Sequence, residues 1–214
     1  MWNKNKRTGF AIALAWPETL CKQPGSWYDL PLKWLGLNKN HYYKIGHAAV
    51  VLINENWKCH YFDFGRYHAP FQHGRVRDAE TDHDLDIKTK AIIKDGRIVN
   101  YSDILLERYS NPSCHGTGEL HASYCKVNFN KAFTRAKQMQ EQSPIQYGPF
   151  KINGTNCSRF VNTVILAGKP GFLHWLLLSY PKTFSPTPFG NVTALNNYIR
   201  IGNGLEEFLS VSYE

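Results

Sequence analysis

A cysteine at the start of a predicted helix is the first residue in this sequence whose type and position suggest chemistry. In NGTNCSRFVNTVILAG, residues 153–168, a turn comes first, Thr155 or Asn156 can cap the helix, and Cys157 lies in its first turn. Unpaired backbone N–H groups and the positive end of the helix dipole favour a thiolate there. A thiol so placed can be partly ionised at neutral pH, which is what a nucleophile requires.

The residues that follow this cysteine fix the direction of its side chain. Phe160, Val161, Val164 and Ile165 recur at helical spacing and form one apolar face that also includes Cys157. The sulfur therefore points toward whatever the helix packs on. A buried structural cysteine fits the same pattern, so the helix alone leaves both interpretations open.

A histidine and an aspartate on neighbouring strands are the candidate partners of the thiol. IGHAAVVLI and KCHYFDFG, joined by the turn NENW, predict an antiparallel hairpin. With the loop centred on Glu55, His47 lies opposite Asp63, which would fix one imidazole tautomer while the other ring nitrogen faces a thiol. His60 is the alternative orienting residue and points to the opposite face unless the register slips by one. His47 and Asp63 also fit a purely structural pair.

Four further residues are candidates for binding a substrate. Arg66, Arg75 and Arg77, in FGRY and GRVR, follow the hairpin end where Asp63 lies, so they could line the cleft rim and hold a carboxylate or phosphate. Tyr147, ten residues before the cysteine, could line the pocket. Solvated or paired arginines and a core tyrosine are the alternative interpretation.

The stretch SCHGTGELHASYC contains four residue types that bind zinc, namely Cys114, His115, His121 and Cys125. A strand would place His121 and Cys125 on one face, but Cys114 and His115 are sequence neighbours that point apart, unlike the paired cysteines of strong zinc sites. We therefore predict no metal site.

The elements that must position these residues alternate between strands and helices. Strands are predicted for GFAIALAW and ELHASYCKV. A hairpin around the turn KDG is predicted for IKTKAII and RIVN, and a loop for HGRVRDAETDHD. Helices are predicted for YSDILLERYS, NFNKAFTRAKQMQEQ, residues 156–167 and KPGFLHWLLLSY. A short helical or irregular segment is predicted for SWYDLPLKWLGL, and an extended tail for YPKTFSPTPFGNV. This mixed order predicts an α+β fold in a single domain over residues 1–214.

Composition narrows the class of protein. Hydrophobic residues make up 43% of the sequence, which indicates a folded chain. The net charge of +8 comes from 25 Lys and Arg that are scattered among acidic residues, and this scatter argues against a dedicated nucleic-acid function. No apolar run is long enough to span a membrane, and the first residues fit a buried strand better than a signal peptide. Five cysteines leave at least one free thiol, so we predict a reducing, cytoplasmic location.

The order of the candidate residues resembles a known family. The sequence resembles the circularly permuted papain-like group of the NlpC superfamily, which includes the lecithin retinol acyltransferase relatives. The resemblance rests on IGHAAVVLI, a polar residue on the next strand, and NCSRFV about a hundred residues later. Ordinary papain-like enzymes run Cys, His, polar residue, whereas the permuted group runs His, polar residue, Cys, as His47, Asp63 and Cys157 do. The resemblance covers about residues 43–168, and FDFGRY and GRVR are similar to uncharacterised bacterial proteins of this type.

The resemblance implies a papain-like α+β fold in which the cysteine helix packs against a small antiparallel sheet or barrel that bears the histidine. The sequence departs from the acyltransferase branch in two ways, because Asp63 stands where that branch has His and its separation from His47 is longer.

The main hypothesis is a cysteine hydrolase that cleaves an amide or ester bond of a small molecule, peptide or lipid, anionic ones included, through an acyl-enzyme and without a cofactor. The alternatives are a non-catalytic binding or interaction module on the same scaffold, and an acyltransferase acting on a lipid or amine.

Overall fold

The computed structural model describes residues 6–22, 38–39, 42–43, 46–202 and 207–208. The segment 26–37, predicted to be helical or irregular, lies outside the described residues. Within the described part, an eight-stranded sheet is flanked by helices, and the pairings between its strands are antiparallel. The predicted α+β class is therefore confirmed.

The strands are β1 (Gly9–Trp16), β2 (Cys21–Lys22), β3 (Asn38–Lys39), β4 (Tyr42–Tyr43), β5 (His47–Ile53), β6 (Cys59–Gly65), β7 (His73–Arg77), β8 (Ile93–Lys94), β9 (Arg97–Ile98), β10 (Leu120–Val127), β11 (Ile145–Gln146), β12 (Asn196–Ile201) and β13 (Glu207–Phe208). The helices are α1 (Tyr101–Tyr109), α2 (Phe129–Glu141), α3 (Cys157–Ala167), α4 (Phe172–Ser179) and α5 (Pro188–Thr193). The large sheet has the order β11-β7-β6-β5-β1-β10-β12-β13.

Two segments predicted to lack regular structure contain it. The predicted loop beginning at His73 starts with β7, which pairs with β6. The predicted extended tail ends in α5, where Thr187 caps the helix by accepting a hydrogen bond from the Gly190 N–H, and Pro188 takes the first position. Among the described residues, no helix combines the length and apolar character needed to cross a bilayer.

Alternation along β1 explains how each face of the sheet packs against its own set of helices. Ala11, Ala13 and Ala15 point to the core cluster that also contains Val161 and the rest of the buried face of α3. The intervening large residues of β1 point to the opposite cluster, which includes α1. The small alanine side chains of β1 let α5 pack closely on this face, while α3 packs beside it on β5 and β6.

The hairpin formed by β5 and β6 has a register two residues away from the predicted one. Asp63 lies opposite Ala49 rather than His47. The Asn54 side chain accepts hydrogen bonds from the backbone N–H groups of Asn56 and Lys58, which centres the loop one residue later than predicted. Because side chains alternate with a period of two, this shift leaves His47 and Asp63 on the same face.

Candidate active site

The nucleophile candidate is the first residue of α3. Asn156 caps the helix, with extended backbone geometry and a side chain that accepts a hydrogen bond from the Arg159 N–H at 2.8 Å. Cys157 follows at once and is buried at the edge of the core. The cap predicted as Thr155 or Asn156 is therefore Asn156, and the sulfur lies where helix N–H groups are unpaired.

The surroundings of Cys157 favour its thiolate. Burial alone would raise the pKa of the thiol, but interaction with His47, the Ser158 hydroxyl and the backbone N–H of Ala48 lowers it below its usual value of 9.0. The Ser158 oxygen lies 3.9 Å from the sulfur. The residues that oppose the effect of burial come from both α3 and β5, so the docking of the helix onto the strand creates this environment.

His47 is the first residue of β5, a central strand of the large sheet. Gly46 before it has a φ of +77°, and a Cβ there would lie 2.9 Å from the Trp16 carbonyl oxygen, so glycine permits the close approach of this chain to the end of β1. The Trp16 indole stacks on the imidazole at a centroid distance of 5.8 Å, and Tyr67 meets it edge-on at 6.4 Å. The ring is thereby held between aromatic side chains.

The imidazole links the thiol to a carboxylate. Its Nε2 lies 3.4 Å from Asp63 Oδ2, close enough for an ion pair, and the ring also interacts with the Cys157 thiol. Burial alone would lower the pKa of His47, but its interactions with Asp63 and Cys157 raise it to about 9. The imidazole is therefore protonated at neutral pH beside a thiol that ionises easily, as in a thiolate–imidazolium pair.

Asp63 is fully buried and is held by more than His47. Arg77 donates from Nε to Oδ1 at 2.9 Å and from Nη2 to Oδ2 at 2.6 Å, and the Tyr61 hydroxyl donates to Oδ2 at 3.1 Å. Burial alone would raise the pKa of Asp63, but contacts with His47 and Arg77 lower it. Arg77 itself is buried, with its guanidinium 3.5 Å from the Tyr67 ring centroid, so it does not line the cleft rim as predicted.

The other predicted binding residues lie in different surroundings. Arg75 is engaged by both carboxylate oxygens of Asp82 at 2.8 Å, which removes it as a ready anion-binding group. Arg66 lies over the ring of Tyr147, 5.2 Å from its centroid, and Tyr147 stacks on Phe64 in the core. Substrate binding by Arg66 and Tyr147 stays a prediction.

The alternative orienting histidine lies far from this arrangement of side chains. His60 is paired with Leu52 on the face of the sheet that carries α2, where its ring contacts Phe129 and Phe133. Burial lowers the pKa of His60. The geometry therefore favours Asp63 as the residue that positions His47.

The four residues with zinc-binding side chains do not converge. Cys114 lies in the core cluster on one face of the sheet and Cys125 in the cluster on the other. His115 stacks on Tyr67, whereas His121 contacts the Tyr198 hydroxyl at 2.6 Å. Among the described residues, no group of three or more His, Cys, Asp or Glu side chains is arranged to hold a metal ion.

Sequence reasoning missed several residues around the pair. Cys21 donates a hydrogen bond from its sulfur to the Gly46 carbonyl at 3.3 Å, and its thiol interacts electrostatically with that of Cys157. The rings of Trp16 and Tyr67 contact the imidazole, and His115 stacks on Tyr67. These residues come from separate parts of the chain, and no local pattern joins them to the hairpin.

Selective alkylation of one thiol is the first prediction from this geometry. Burial raises the pKa of Cys21, Cys59 and Cys125 to about 12 and also raises that of Cys114, while the pKa of Cys157 is lowered. We expect iodoacetamide at pH 7 to modify Cys157 first in the folded protein, since the thiolate is the reactive form.

Peptide mass spectrometry after brief labelling measures the site of modification. The Cys21→Ser variant serves as the control, because it removes the neighbouring thiol and should leave the labelling of Cys157 unchanged. Equal labelling of all five cysteines in the folded protein would contradict the expectation.

Comparisons with known proteins give one family and one similar structure. A family model described as type VI secretion system effector TseH-like matches residues 11–170. The crystal structure of the type VI secretion system effector TseH is similar with a TM-score of 0.57 and 19% sequence identity, over 92% of this chain and 93% of that chain. At this identity the likeness concerns the fold. No curated protein sequence matches.

Proposed function

The chain belongs to the TseH-like family of type VI secretion system effectors, and we propose that it acts as a cysteine hydrolase on an amide or ester bond. The observation that carries the proposal is the contact of Cys157 with His47, which lowers the pKa of the thiol and raises that of the imidazole to about 9. Of the five cysteines, only Cys157 has a lowered pKa, whereas burial raises the others. A thiol activated in this way is suited to covalent catalysis.

Acylation begins from the thiolate–imidazolium pair, in which His47 already holds the proton of the thiol. The Cys157 thiolate attacks the carbonyl carbon, and its backbone N–H at the start of α3 donates to the oxyanion that forms. The tetrahedral intermediate collapses, the bond to the leaving nitrogen or oxygen breaks, and the leaving group takes the proton from His47. The product of this half-reaction is a thioester on Cys157.

Deacylation uses the same histidine in the opposite sense. Neutral His47 accepts a proton from water, which attacks the thioester carbonyl; a carboxylic acid is released and the pair of Cys157 thiolate and His47 imidazolium is restored. Asp63 stabilises the charged imidazolium, and Arg77 and Tyr61 keep that carboxylate ionised and oriented.

The order of the three residues also supports a place in the permuted papain-like group. His47 comes first on β5, Asp63 follows on β6, and Cys157 begins a helix that packs on this antiparallel sheet. The same arrangement of helix and sheet is what the resemblance to the NlpC superfamily implies. Together these features favour hydrolysis over a purely structural role for the pair.

An activated ester provides the direct test. With p-nitrophenyl acetate we expect a burst of p-nitrophenolate release and an acetyl adduct on Cys157, detected by intact-protein and peptide mass spectrometry. Cys157→Ala should abolish both, while Cys21→Ser should retain them. A wild-type protein with no burst and no adduct beyond the Cys157→Ala background would instead favour a non-catalytic binding module.

A further inference from the structure

Helix α4 and the segment after it expose an unusual amount of apolar surface. Of the helix residues, Leu178 is buried, while large side chains around it are accessible to solvent. We call the exposed set the apolar patch, and it consists of Phe172, Leu173, Trp175, Leu176, Leu177, Tyr180 and Phe184. Phe184 is fully exposed and Phe172 is 76% exposed. Several large apolar side chains exposed on one short segment in this way mark a docking surface.

The stretch of sequence that contains the patch carries basic side chains and no acidic ones. No Asp or Glu occurs between Gln142 and Leu205, whereas the same stretch contains five Lys and Arg residues. Lys169 precedes the patch and Lys182 lies within it. Arg7 also approaches, with Nη1 4.0 Å from the position that a Cβ on Gly171 would take. The patch is therefore an apolar surface with basic residues beside it.

We propose that the apolar patch docks on the surface of an anionic phospholipid bilayer. Tryptophan and tyrosine prefer the boundary between headgroups and acyl chains, and lysines beside them attract anionic lipid. The eight residues of α4 extend about 12 Å, far less than the hydrocarbon thickness, so the helix lies in the interface instead of crossing it.

The same charge pattern argues against a second copy as the occupant. A symmetric interface would bring the patch of one copy against the patch of the other, with Lys182 near its own counterpart and no acid from residues 143–204 to offset the charge. An anionic lipid surface supplies the opposite charge and an apolar layer together.

Docking would also orient the candidate active site. Asn162 of α3 donates from its amide to the Leu178 carbonyl of α4 at 3.0 Å and to the Asn191 side chain at 3.2 Å. Asn191 of α5 donates in turn to the Ser158 carbonyl at 2.8 Å, next to Cys157. These buried amides fix α4 to the helix that bears the nucleophile, so a bilayer bound at the patch holds the cleft in one orientation.

Vesicle co-sedimentation of the full chain tests the proposal. We expect the protein to sediment with vesicles of equal parts phosphatidylglycerol and phosphatidylcholine, and much less with pure phosphatidylcholine. The double variant Trp175→Ser/Leu176→Ser should lower the partition coefficient by roughly tenfold or more, because two large apolar side chains no longer enter the interface. Lys182→Glu should weaken binding at low salt, and high salt should weaken binding of the wild type.

The matched control is Phe71→Ser, which removes another exposed aromatic, 79% accessible, outside the patch. It should bind as the wild type does. Thermal unfolding and iodoacetamide labelling of Cys157 show that each variant is folded, independently of lipid. The proposal is overturned if the wild type ignores anionic vesicles, if Phe71→Ser loses as much binding as the patch variant, or if light scattering shows a dimer that the patch variant dissociates.

Discussion

Replacing His47 with alanine is expected to slow alkylation of Cys157 at pH 7 by about 100-fold or more, the usual effect of removing a positioned acid–base partner. In the variant, burial still raises the pKa of Cys157, while the interaction with the imidazole that lowers it is gone. The thiolate fraction at neutral pH therefore falls. The rate of iodoacetamide labelling, followed across pH by mass spectrometry, measures this change.

The pH dependence has a definite sign. His47 has a pKa of about 9 in the folded protein, above its usual 6.5, so its charge persists through neutral pH and is lost as the pH rises through about 9. Hydrolysis of an ester should decline over that interval because the leaving group loses its proton donor. In His47→Ala, labelling should increase toward alkaline pH as for an unassisted thiol.

His60→Gln is the matched control, because His60 is also on the hairpin but faces α2. Labelling of Cys157 should be unchanged in this variant. Equal slowing by His60→Gln and His47→Ala would show that damage to the hairpin, and not loss of the imidazole beside the thiol, causes the effect.

The sequence predicts those parts of the site that depend on interactions between residues close together in the chain. Helix α3 and its cap follow from local rules, since Asn156 and the apolar spacing after it act within a few residues. The shared face of His47 and Asp63 also follows from strand alternation. The predicted register is wrong by two: the Asn54 side chain holds the loop, and Trp57 takes a positive φ of 62°, a conformation that sequence rules assign to Gly or Asn.

The role of Arg77 could not be read from local sequence. HGRVR contains a glycine and two arginines and resembles a loop, yet it forms β7 beside β6 and places Arg77 opposite Asp63. Gly74 is required there because a Cβ would lie 2.6 Å from the Phe64 ring. The strand is thus selected by tertiary contacts, and a residue predicted to bind substrate instead neutralises a buried carboxylate.

Replacing Arg77 with methionine is expected to destabilise the fold by about 3–5 kcal/mol, the usual cost of leaving a buried charge without its partner. Asp63 would keep only the Tyr61 hydroxyl and the His47 contact at 3.4 Å. Urea unfolding followed by circular dichroism gives the free energy. Arg75→Met is the matched control, because the Arg75–Asp82 pair is 22% exposed on both sides and such pairs contribute about 1 kcal/mol or less.

A second substitution separates charge from packing. In Arg77→Met/Asp63→Asn the buried amide no longer needs a countercharge, so the double variant should be more stable than Arg77→Met alone. It should nevertheless label slowly at Cys157, because the carboxylate that stabilises the charged form of His47 is missing. If Arg77→Met costs no more stability than Arg75→Met, then Arg77 does not compensate Asp63, and another group must keep that carboxylate ionised beneath the histidine.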